Sequence, residues 1–379
     1  MSPRASNGLY TQGVRARWKD APDIPLKLAA AVLLCFLSSA CSTVGYYAHV
    51  THGQFSLLVH RKPVERIVDD PNADPKLRAR LAETQKARVF ASDQLGLPRN
   101  KSYTTYVDLG RPYVTWNVFA APEFSVDAVT HCFPFAGCVA YLGFFDQKDA
   151  EREAARLAPA GDDTAIEGAA AYSTLGWFSD PILSSMLRWN DDELDGVIFH
   201  ELAHQLLYVK DDTAFNESFA TFVQQEGLRE WRAARGLAPA DSDESAIDDA
   251  FTALVLDLRE RLRAVYAREL AQAAAREAKQ REIAGFRERY RRLRDTEWNG
   301  NHSYDSWVEA PINNARLVPF GLYDRWVPSF ARVFEESHHD WTGFYSRARA
   351  LARLPKDERD RELDAMLTST EVTRKPTKK

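Results

Sequence analysis

The sequence predicts an α+β fold that is mainly helical, and three observations carry this. Apolar residues recur at helical spacing from Val197 to Leu207 and again from Phe215 to Val223. Glu244 to Arg294 is charged and alanine-rich, with no proline and a single glycine, Gly285. From Ser102 to Phe144 the pattern changes to short β-like runs of Tyr, Val, Trp and Phe, punctuated by Pro, Gly and Asn. That pattern predicts a small mixed sheet. A chain of 379 residues, 45% hydrophobic and 27% charged, suits one large or two smaller globular domains. The net charge of -5 and the lack of a basic cluster with interleaved aromatics exclude a nucleic-acid surface.

In chain order, the first segment is 1–41. Arg4, Arg15, Arg17, Lys19 and Lys27 precede an apolar run of ten, Leu28 to Leu37, followed by Ser38-Ser39-Ala40-Cys41. A basic region, a short apolar run and small residues read as a secretory signal. The run is too short to span a membrane comfortably. Small residues before a cysteine resemble a bacterial lipoprotein cleavage site, with Cys41 acylated. Ser38 stands where such sites usually carry a large aliphatic side chain, so a plain cleaved signal or an uncleaved anchor is the alternative. The expectation is an exported, periplasmic protein, lipid-anchored to the membrane through Cys41. In such a compartment Cys132 and Cys138, with five residues between them, read most simply as a disulfide closing a small loop. A second metal site with His131 is the rival.

Residues 42–355 form the expected main domain, and 356–379 a helix end and a basic, disordered tail. Thr43 to Leu95 reads helical, broken at Pro71 and Pro75 and stopped by Gly96. Asp149 to Leu157 reads as a helix, Tyr172 to Phe178 as a strand, and Ile182 to Leu187 as a short helix. Asp191 and Asp192 are placed to start and cap the next helix at its positive end.

That next helix contains His200-Glu201-Leu202-Ala203-His204. Residues four apart on a helix lie one above the other, so both imidazoles share a face and can hold one zinc ion. Glu201 is placed to take a proton from a water that the metal activates. The plainer alternative is a surface helix with two solvated histidines. Val197, Ile198, Phe199, Leu202, Ala203, Leu206 and Leu207 argue against it, because a helix apolar on most sides is buried and its polar groups need partners.

Asp211-Asp212-Thr213 reads as a turn, with Asp212 or Thr213 as a helix N-cap. The second helix turns Phe215, Phe219, Phe222 and Val223 to the core and carries Glu217 as the third ligand. Ala220, one turn on, leaves room for the approach. Two histidines, one glutamate and an open position are the ligand set of a catalytic zinc site. Asp211 and Asp212 are rival ligands, though they follow the first helix too closely to fold back easily.

The sequence resembles the bacterial predicted-aminopeptidase family of lipoprotein-like, gluzincin-type proteins. The resemblance rests on several stretches within 41–350. They include Gly45-Tyr46-Tyr47, Asp108-Leu109-Gly110-Arg111-Pro112-Tyr113, Trp116 to Ser125, Cys132-Phe133-Pro134 with Gly137-Cys138, and Tyr172 to Phe178. His200 to His204, Asn216-Glu217-Ser218-Phe219-Ala220 and Asn313-Asn314-Ala315-Arg316-Leu317 complete them. It implies a zincin-like core and a zinc peptidase fold. In gluzincin-type folds the strand before the metal helix forms the sheet edge and pairs with extended substrate. Tyr172 to Trp177 is the candidate here, with Ser173, Thr174 and Leu175 as substrate-binding residues.

Residues 244–295 are expected to project as a long helical arm or hairpin, either a plain solvated face or a surface for a protein partner. In the carboxy-terminal part, Tyr323, Tyr304 and His302 are candidates to stabilise the oxyanion. Tyr323 is preferred. The reading that follows is a zinc-dependent peptidase for peptide substrates in the cell envelope. Trimming from the amino end needs an acid for the free ammonium, and Glu123 is the candidate. An envelope lipoprotein that binds a partner around a structural or vestigial zinc is the reading from a different class.

Overall fold

The computed structural model of the chain describes residues 45–133, 137–174, 176–239, 242–320 and 325–373. Two units separate at His52 and Gly53. In the first, residues 45–52 are helical. Leu28 to Cys41 and the last six residues lie outside the described residues. No helix among the described residues is long and apolar enough to cross a membrane.

The second unit is mainly helical with small sheets, the expected α+β class. Its strands are β1 (Lys62–Pro63), β2 (Thr105–Val107), β3 (Thr115–Pro122), β4 (His131–Phe133), β5 (Gly137–Val139), β6 (Tyr141–Phe144), β7 (Asp162–Ala169) and β8 (Ile182–Leu183). They form three separate sheets rather than one. β1 and β8 flank β2, antiparallel and parallel respectively. β6 and β7 flank β3, both antiparallel. β4 and β5 form a hairpin closed by the Cys132–Cys138 disulfide.

The strands before the metal helix are β7 and β8, each at the edge of its own sheet, and the described residues of Tyr172 to Phe178 form no strand. Their alternation is overridden by local side-chain bonds, a common competitor of ladder formation for Ser, Thr and Asp. Thr174 Oγ1 accepts from the Phe178 amide at 3.0 Å, and Asp180 accepts from the Thr174 amide and hydroxyl at 3.1 and 2.7 Å. Gly176, at φ +82°, supplies the left-handed turn residue. Likewise Ile182 and Leu183 form β8 instead of opening a helix; the helical turn comes later, at Met186–Arg188.

Two antiparallel neighbours, Asp191–Leu206 and Thr213–Ala234, are the metal helix and the glutamate helix. Asn190 starts the first, in a reciprocal capping box with Glu193, so the cap lies one residue before Asp191 and Asp192. The helices can approach closely because Gly227 has no side chain. A Cβ there would come within 2.7 Å of Leu95 and 3.2 Å of Phe199. Phe215, Phe219 and Phe222 are buried against Phe330, Phe334 and Phe344. Each such ring contributes roughly 1.5–3 kcal/mol of burial, which holds the opposite face, carrying Glu217, in place.

The arm is a hairpin of two helices, Ser242–Tyr266 and Gln272–Thr296, and it is docked rather than projecting. Phe251, Leu258, Phe286 and Tyr290 pack with Trp298, Val308 and Leu317 of the segment that follows. Asn314 joins the arm to the sheet region. Its side chain donates to the Pro122 and Glu123 carbonyls and accepts from the Tyr266 hydroxyl.

Asp195, buried on the metal helix, accepts from Trp231 Nε1 at 2.8 Å. Burial pushes its carboxyl up from 3.8 to about 7, against the pull of Trp231 and Arg235. The unfolded chain ionises this group above about pH 4, whereas the folded chain resists until about 7. The group therefore removes stability as pH rises through that window, and the loss is complete above it. Asp195→Asn keeps an acceptor for Trp231. It is expected to stabilise the fold by about 1–4 kcal/mol at pH 8 and by almost nothing at pH 4, read as thermal melts at both pH values.

Candidate metal centre

His200 and His204 point the same way from successive turns of the metal helix, and both are buried. Their Nε2 atoms are 3.0 Å apart, and Glu217 Oε2 lies 3.2 Å from one and 3.4 Å from the other. Three donors at about 2.0–2.1 Å from a tetrahedral ion would stand about 3.3 Å apart. The spacing and the chemistry of the donor set therefore fit a zinc-sized ion. Among the described residues this is the group of three His, Cys, Asp or Glu side chains able to hold a metal.

The electrostatics favour a cation there. Burial alone would raise the Glu217 carboxyl, but His204 and His200 beside it overcome burial and hold it far below the usual carboxylate range. His204 is shifted the other way: burial opposes its charge, yet Glu217 and Glu201 raise its pKa. The Nδ1 atoms of both histidines are buried without a hydrogen-bond partner among the described residues. Metal-binding histidines usually donate that N–H to a carboxylate or carbonyl. This pair departs from the usual pattern, and Glu226, which pairs with Arg229, does not supply the acceptor.

Glu201 is half-buried, one residue beyond His200. Its charge helps to raise the pKa values of Tyr103 and Asp180. Burial is the larger cause at both, and carries Asp180 to about 6. Neither residue stands out in the sequence: they are remote from the motif, and a lone tyrosine or aspartate carries no spacing signal.

The rival ligands are occupied elsewhere. Asp211 Oδ1 accepts from the Cys138 amide at 2.7 Å, which ties the disulfide hairpin to the turn between the two helices. Asp212 caps the glutamate helix through the Phe215 amide and forms a buried ion pair with Arg359. Arg359 comes from the last helix, Lys356–Thr373, in the region expected to be a helix end and tail. Removing one partner of such a pair strands a buried charge. Arg359→Ala is expected to destabilise the protein by about 3–5 kcal/mol and to weaken metal binding with it. Denaturant melts with and without zinc check this.

Ser173 and Thr174 lie on the loop that Asp180 holds, and Gly176 of that loop packs against Gln205 of the metal helix. Leu175 and Tyr323 lie outside the described residues. The other two oxyanion candidates are engaged elsewhere. Tyr304 stacks on Phe251 at 3.7 Å and donates to Asp248, and His302 pairs with Asp305 at 2.7 Å. Glu123 is not a free acid. Arg276 of the hairpin grips both its oxygens at 2.5 and 2.8 Å and holds its carboxyl below the usual range. Sequence reasoning missed Tyr208, on the turn between the ligand helices. It is 42% exposed, and its phenol is pushed up by burial and then by Glu217. A groove of about 770 Å³ runs along β7 beside Trp307, Asn313 and Arg316, but none of the three candidate ligands lines it.

No curated protein and no solved structure matches this chain. The profile of the putative aminopeptidase family matches residues 45–363, which spans both ligand helices, the hairpin arm and the start of the last helix. With most of its length covered, the chain belongs to that putative aminopeptidase family.

Proposed function

We propose that the protein is a zinc-dependent peptidase of the bacterial cell envelope, an aminopeptidase by family. The observation that carries this is the convergence of His200, His204 and Glu217 within hydrogen-bonding distance of one another, with Glu201 alongside. Zinc held by these three side chains would supply Lewis acidity, lowering the pKa of water to about 7 and polarising the scissile carbonyl. Glu201 takes the proton of the water that adds to the carbonyl carbon. It then returns that proton to the nitrogen as the C–N bond breaks. His200 and His204 act as neutral donors, and Glu217 neutralises part of the ion's charge.

Residues 1–41 support export with an anchor at Cys41, and mass spectrometry of the mature amino terminus would show whether an acyl group is attached there. The family description favours trimming from the amino end. Glu123 is paired with Arg276, so binding a substrate ammonium there would have to compete with that ion pair. The test is hydrolysis of one short peptide, free and amino-acetylated, by the purified protein. Activity lost to a chelator and restored by zinc supports the peptidase reading, and loss on acetylation supports the aminopeptidase one. Equal rates on both peptides would instead make it an endopeptidase.

A further inference from the structure

Tyr103 has a buried ring, 1% exposed, and its hydroxyl has no hydrogen-bond partner among the described residues. Buried phenols normally find a partner, so an orphaned one asks for an explanation. Phenylalanine would fill the same space without leaving a donor unused. The charged groups in whose field this hydroxyl sits are Glu201 and Asp180. Asp180 is already engaged by Thr174 and Ser173. The Glu201 carboxylate accepts no hydrogen bond from the described residues. Gln205, one turn beyond Glu201 on the same helix face, bonds Ser102, which sets the Tyr103 segment against the face that carries Glu201.

The backbone holds the ring there at some expense. Tyr103 has φ +61°, a conformation that bulky residues rarely adopt and that clusters at functional sites. Its amide donates to the Asp180 carbonyl at 2.6 Å, and its carbonyl accepts from Gln85 Nε2 at 2.8 Å. The neighbouring residues are fastened to the metal helix itself. Asn100 Nδ2 donates to Gln205 Oε1 at 2.7 Å, and Gln205 Nε2 donates to Ser102 Oγ at 3.3 Å. Gln205 directly follows the ligand His204. The backbone at Tyr103 is therefore held by Asp180 and Gln85, and the residues beside it are tied to the helix that carries Glu201 through Gln205.

We propose that Tyr103 is a positioning residue for Glu201: in the substrate complex its O–H donates to the Glu201 carboxylate and fixes which oxygen faces the attacking water. Hydrogen bonds of this kind often tighten only when substrate is bound. The inference rests on Glu201 acting as the base in the proposed peptidase reaction.

The test compares wild type, Y103F, E201Q and the double variant for zinc content, melting temperature, kcat and KM. Y103F is expected to keep one zinc, to melt at or above the wild-type temperature, to hold KM within about two-fold, and to lower kcat by at least about ten-fold. In the E201Q background Y103F should then change nothing further, since it acts through that carboxylate. A wild-type kcat in Y103F, or a further ten-fold loss in the double variant, would overturn the role. If Y103F misfolds, a structure of the zinc-loaded wild type with an uncleavable peptide analogue decides. A Tyr103–Glu201 hydrogen bond supports the role and its absence rejects it. Lack of zinc-dependent turnover in the wild type is a separate result; it rejects the peptidase reading, and this role with it.

Discussion

Changing Glu201 to glutamine is expected to lower turnover by about 10²–10⁴-fold while one zinc stays bound per chain. The side chain keeps its size and place on the metal helix but can no longer accept the proton of the attacking water. Glu201 is not one of the three converging groups, so metal content should hold. The separation of the two effects is what identifies a base rather than a ligand. Steady-state kinetics and metal analysis on the same preparation would check it. Turnover that survives this change would remove Glu201 from the mechanism.

Glu217→Ala should lose metal and turnover together. Two imidazoles on one helix remain, but the opposing charge goes, and with it the third donor. The fall in affinity should exceed the roughly 10–100-fold typical of residues that merely support a ligand. His204→Ala should behave the same way. It would also leave Glu217 buried with His200 as its remaining partner in the group, so a loss of stability is expected in the metal-free state. Zinc titration and metal-free melts read the two effects apart. A variant that keeps wild-type zinc affinity would show that Glu217 is not a ligand.

What the sequence made legible followed from strong local signals. The His-Glu-x-x-His spacing fixes one face of a helix whatever surrounds it, and the aromatic stripe from Phe215 to Phe222 orients the second helix. Both depend on helical period, which survives tertiary context. Other features rested on competition between local and distant interactions. Tyr172 to Phe178 alternates like a strand, yet Asp180, close behind in the chain, bonds Thr174 and turns the segment into a loop. The hairpin's charged surface suggested projection, but its apolar stripe meets Trp298, Val308 and Leu317, which lie beyond it in the chain. Glu123 read as a free acid because Arg276 is more than 150 residues away in sequence. Arg359 read as part of a trailing segment because nothing local shows that Asp212 needs a buried partner. Tyr103 and Asp180 come together through a backbone bond between two loops, and loops carry no period.

The account depends on three side chains surrounding one ion. A zinc-edge anomalous difference map of the zinc-loaded protein tests that most directly. The account predicts a single peak bonded to His200 Nε2, His204 Nε2 and a Glu217 oxygen, with one coordination position open to solvent. A peak elsewhere, or a fourth protein atom closing that position, would contradict it.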